Sequence, residues 1–93
     1  MVIIYVDKEL EFVDIQNAGN APASLQGWTL VSETGHQVCS LRGILQSKGI
    51  LRIWAGIGQV GISCEFKDRI WAKDVADPAV LYNAKGEEVS RYP

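Results

Sequence analysis

The sequence predicts an all-β fold of antiparallel strands packed as a sandwich, on three observations. No segment repeats apolar residues at the 3.6-residue spacing of a helix over helical length. Short runs alternate apolar and polar residues instead, which is the period of a half-buried strand. Gly, Asn, Pro and Ser interrupt those runs at regular spacing, leaving room for six or seven short strands.

The first clear strand lies within Leu10 to Gly19. Val13 and Ile15 share one face, and Asp14 and Gln16 point the other way. Asn17-Ala18-Gly19-Asn20-Ala21-Pro22 is a loop by its turn chemistry. Trp28 to Val31 forms a strand, Ser32-Glu33-Thr34-Gly35 turns the chain, and Gln37 to Leu41 returns as its hairpin partner. After the turn at Ser47-Lys48-Gly49, Ile50 to Ala55 is the most apolar strand, with Leu51 and Ile53 alternating with Ile50 and Arg52. Gly56, Gly58 and Gly61 bend the loop that follows. Trp71 to Pro78 is irregular and mixed in charge. Ala79 to Tyr82 and Glu87 to Arg91 flank Asn83-Ala84-Lys85-Gly86, the strongest hairpin signal in the chain.

Ninety-three residues are room for one domain, taken as 1–93. An apolar fraction of 47% with 22% charged residues is globular composition rather than that of a disordered tail. The net charge of −2 opposes a basic nucleic-acid arm. Lys67, Arg69 and Lys73 are the nearest approach to a cationic cluster. The longest apolar run is Val2 to Val6, far short of the roughly 20 residues of a membrane span. Asp7 and Glu9 close that run with no small-residue cleavage site after it, so no signal peptide is expected. Nothing in the sequence names a compartment.

Several segments, in order, carry a family likeness. They are Glu11-Phe12-Val13-Asp14-Ile15-Gln16-Asn17, then Leu25-Gln26-Gly27-Trp28-Thr29-Leu30, then Leu45 with Gly49. Trp71, Asp77, Leu81 and Asn83-Ala84-Lys85-Gly86-Glu87-Glu88-Val89 follow. Together they resemble the lamin tail domain over residues 9 to 92, and the pairing of the first two segments is the more specific part. The resemblance implies an immunoglobulin-like β-sandwich and a non-catalytic binding or attachment module. Such domains occur at the tails of nuclear intermediate-filament proteins, where they are associated with chromatin and nuclear-envelope partners. Similar ones occur in bacterial and archaeal proteins, often beside secreted nuclease or phosphoesterase domains. With acidic charge and no heptad rod here, a prokaryotic-type domain, stand-alone or excised from a larger protein, fits better.

The quoted positions have structural reasons. Val13, Ile15, Trp28 and Leu30 are expected to fill the space between sheets, Leu81 is a further determinant of the fold, and Trp28→Ala is expected to cost about 3–5 kcal/mol. Gly27 precedes Trp28 where φ is positive or a Cβ would clash. Asn17 and Asp77 are expected to bond loop backbone. Glu11, in phase with Val13 and Ile15, is expected at the sandwich edge or beside a donor.

Reactive chemistry finds little support. His36 follows a turn and reads as solvated, although a Ser-His-Asp set can be written from Ser32 or Ser40 with Asp14. Cys39 and Cys64 with His36 fall short of a four-ligand zinc pattern. The two cysteines read as buried free thiols by default. The alternative is a disulfide across 25 residues, which would contribute about 3 kcal/mol. Asp68, Asp74 and Asp77 lack the spacing of a calcium loop. No Lys-Ser/Thr pair closes the glycine loop, so it is no phosphate cradle. No metal or other cofactor is expected.

What remains is a surface. Trp54 lies in a strand apolar on both faces, and Arg52 is close enough in sequence to stack on it. Ile50, Arg52 and Trp54 are the candidate contact residues for a protein or other macromolecular partner. The rival readings are a scaffold domain that self-associates through open sheet edges, and weak nucleic-acid association. An enzyme ranks last.

Overall fold

The computed structural model describes residues 1–8, 10–32, 37–54, 62–63 and 78–92. In chain order the strands are β1 (Val2–Asp7), β2 (Phe12–Gln16), β3 (Ala23–Ser24), β4 (Thr29–Ser32) and β5 (Gln37–Ser40). They continue with β6 (Ile44–Leu45), β7 (Ile50–Trp54), β8 (Ile62–Ser63), β9 (Ala79–Tyr82) and β10 (Glu88–Tyr92). One sheet runs β1-β2-β7-β8 and another β10-β9-β4-β5, with β3-β6 as a small third pair. Every pairing is antiparallel except that of β7 with β8, which is parallel.

Period-two alternation builds the core. Val13 pairs with Val6 and Ile53, and Ile15 with Ile3 and Leu51. These residues face the second sheet, where Leu30 sits between Cys39 and Leu81. Val13, Ile15 and Leu81 are completely sealed, and Leu25 and Leu41 from the connecting segments and Leu45 from β6 join them. Burying side chains of this size stabilises by roughly 1.5–3 kcal/mol each, which is how so short a chain holds together.

One side of the sandwich is stitched shut. The Ile3 N–H of β1 donates to Ser90 Oγ of β10 at 3.0 Å, and Tyr92 packs on the core nearby. On the opposite side β8 and β5 end the two sheets.

Asn17 organises the loop it begins. Its Nδ2 donates to Ala21 O at 2.8 Å and Leu45 O at 3.0 Å, while its Oδ1 accepts from Gly19 N–H. Gly27 has φ +82°, and a Cβ there would lie 3.2 Å from Ala84 Cβ, so both reasons for a glycine apply. The hairpin signal at 83–86 corresponds to β9 and β10. Asn83 Oδ1 accepts from the N–H of Lys85 and of Glu87 across that turn.

Two readings change and one strand is added. The run from Val2 is a strand, β1, that extends the first sheet. Glu11 is not in phase with Val13: at φ 63° it closes the β1–β2 turn, its N–H bonded to Asp7 O at 2.8 Å. The residue is nonetheless buried. Trp28 lies just before β4 and is half-buried against the core rather than sealed between the sheets. Its truncation is therefore expected to cost less than that of a fully buried indole. Asp77 and Trp71 lie outside the described residues.

Candidate functional site

The outer face of the first sheet is made by the residues that alternate with the core. The register sets them in three rows: Asp7, Phe12 and Trp54; Tyr5, Asp14 and Arg52; Val2, Gln16 and Ile50. A bulge in β1 between Ile3 and Tyr5 keeps Ile3 facing inward and brings Tyr5 opposite Asp14.

Arg52 is the centre. Its Nε donates to Asp14 Oδ1 at 2.8 Å and its Nη2 to Oδ2 at 3.0 Å, a two-pronged pair. The same guanidinium lies over the Phe12 ring, 3.8 Å from its centroid, and 5.9 Å from that of Trp54. The expected stacking on Trp54 is thus secondary, and Phe12, from a strand 40 residues earlier, is the main ring. Phe12 meets Trp54 at 5.0 Å and Tyr5 at 5.8 Å between centroids, both tilted. Phe12 and Asp14 are buried although they face outward, because Arg52 and the flanking rings cover them.

The electrostatics keep the cation in place. The hydrogen bonds that Arg52 donates to Asp14 raise the Arg52 pKa above its ordinary value; desolvation opposes them, and attraction to Asp14, Asp7 and Tyr5 adds to the rise. Arg52 remains 48% exposed, so donors not used by Asp14 are open to an incoming acceptor. Ile50 is 57% exposed at one end of the patch and Tyr5 46% exposed beside it. At the Ile50 end, Gln16 Nε2 donates to Lys48 O. Both Asp14 oxygens accept from Arg52, so this carboxylate is poorly placed as a general base.

The remaining predicted positions are not gathered here. Ser32 is sealed within the second sheet and Ser40 belongs to β5 of the same sheet, whereas Asp14 faces outward from the first and is paired with Arg52. His36, Cys64, Asp68, Asp74, Lys67, Arg69, Lys73 and the glycines at 56, 58 and 61 lie outside the described residues. Cys39 is buried in β5 and disulfide-bonded, not a free thiol. No cluster of metal-binding side chains occurs among the described residues. A concavity of about 550 Å³ is lined by Leu25, Gln26, Arg42, Gly43, Ile44, Leu45 and Leu51. Among the described residues that line it, Arg42 is the one titratable group, too little for acid–base chemistry.

The sequence singled out Ile50, Arg52 and Trp54 but missed Tyr5, Phe12 and Asp14, which complete the patch. The available signal was the outward phase of Phe12 and Asp14, together with the apolar run before Asp7.

Among the described residues, no helix is long and apolar enough to cross a membrane. No curated protein matches the chain. The family model of the Lamin Tail Domain matches residues 2–93, which adds β1 to the resemblance. The all-strand architecture and that match agree: the chain belongs to the lamin tail domain family and has its immunoglobulin-like β-sandwich fold.

Proposed function

We propose that residues 1–93 act as one non-catalytic recognition domain. It contacts a protein partner through the outer face of the first sheet, with Arg52 at its centre, Ile50 and Trp54 to either side and Tyr5 beside them. The observation that carries this reading is Arg52, half-exposed yet held by Asp14 and stacked on Phe12. A side chain fixed before binding loses less entropy when a partner arrives. Trp, Tyr and Arg are also the residue types that dominate binding energy at protein interfaces. Family membership supports an interaction role in general terms. The partner's chemistry follows from the patch: an apolar side chain against Ile50 and Tyr5, and a carboxylate or carbonyl oxygen on Arg52.

The test is photo-crosslinking in cells that make the native protein. A photoreactive amino acid replaces Ile50 in one variant and exposed Val38 of the second sheet in another. Discrete adducts with a different protein from position 50 alone, lost on Arg52→Ala, are expected. Adducts that persist in Arg52→Ala, that form equally from position 38, or that join two copies of this chain would overturn the reading. The last outcome would favour a self-associating scaffold.

A further inference from the structure

We infer that Cys39 and Cys64 form a disulfide that fastens the open side of the sandwich, and that the domain works in an oxidising compartment. Cys39 is disulfide-bonded and 4% exposed. The sequence holds one other cysteine, Cys64, and among the described residues no cysteine is free. Topology gives the bond its meaning. Cys39 belongs to β5, the last strand of the second sheet, with Leu30 as its neighbour in register. Cys64 follows Ser63 of β8 by one peptide unit, and β8 is the last strand of the first sheet. The cross-link therefore ties one sheet to the other at the side opposite the β1–β10 contact. Sandwich edges held on one side by β1 and β10 are held on the other by a covalent bond.

The pairing also explains an otherwise weak element. β8 has two residues and joins the first sheet by the parallel pairing of Ile53 with Ile62 and Trp54 with Ser63. So short a parallel strand has little pairing energy of its own. A covalent tether on the next residue limits its freedom to leave. Because Ser63 is the partner of Trp54, the bond also steadies one end of the outer-face patch, although the inference does not depend on that patch binding anything.

Formation is a two-electron oxidation. The two thiols lose two protons and two electrons as the sulfur–sulfur bond forms. A disulfide-bonded exchange protein accepts the electrons and leaves as its dithiol. Such bonds persist where that oxidant is supplied and thiol reductants are not in excess.

The experiment begins with cells making the full native protein, quenched in acid and treated with a thiol-reactive mass tag under denaturing conditions. Protein in which neither cysteine is tagged until reductant is added is the expected result. Quantitative tagging of both without reductant would overturn the compartment claim. Peptide mapping of the purified monomer is expected to give one peptide containing Cys39 linked to one containing Cys64. A link between two chains would overturn the pairing. Reduction is expected to lower the Tm by on the order of 10–20 °C. Cys64→Ser, which leaves the buried Cys39 side chain in place, should show the lowered Tm without reductant and no further response to it. An unchanged Tm on reduction of the native protein would overturn the fastening role.

Discussion

The two faces of β2 are built from five consecutive residues and behave in opposite ways. Inward, Val13 and Ile15 are sealed by aliphatic groups from the neighbouring strands and the second sheet. Outward, Phe12 and Asp14 are also buried, but under side chains of their own sheet, chiefly Arg52. The inner face is buried by the packing of two layers, and no single partner accounts for it. The outer face is buried by one guanidinium and two rings. Removal of one side chain should therefore damage the inside as a fold and the outside as a surface.

Ile15→Ala is the substitution that strikes the inner face hardest. It removes a fully sealed side chain and should cost about 3–5 kcal/mol, read by urea unfolding. A loss under 1 kcal/mol would mean that the layers collapse around the gap and that the contrast is overstated. Asn17→Ala tests whether the loop leaving β2 is equally committed. It leaves two carbonyls and one N–H without their partner, and a loss of about 2–3 kcal/mol is expected in the same measurement. Gly27→Ala should cost about 1–2 kcal/mol, since φ +82° disfavours a Cβ and Ala84 stands close to it.

Arg52→Ala completes the series from the outer face. Its Tm should move least of the four, while crosslinking from position 50 disappears. A Tm as depressed as that of Ile15→Ala would erase the distinction between the faces and make Arg52 a determinant of the fold.

The same contrast governs what the residues disclosed. Val13, Ile15, Leu30 and Leu81 were legible because burial between layers imposes period two on each strand by itself. The 83–86 turn was legible because Asn and Gly satisfy its geometry locally. The pairing of Arg52 with Phe12 was not legible, since it depends on the register between β2 and β7, which no local pattern contains. Glu11 was misplaced because one residue at positive φ breaks the phase that alternation assumes. Trp28 was read as sealed from its size and apolarity, but it precedes its strand, where only part of the indole meets the core. Val2 to Val6 is too short for a membrane span, and its place as a strand beside β2 follows from pairing.

The claim on which the rest depends is that the outer face is set in place before any partner arrives. Nitrogen-15 relaxation of the arginine side chains tests it within one molecule. The Nε–H of Arg52, held at 2.8 Å by Asp14, is compared with that of the exposed Arg42. A high order parameter for Arg52 beside a low one for Arg42 is the predicted result. Equal, low values for both would show that Arg52 samples solvent freely and would contradict a preformed recognition surface.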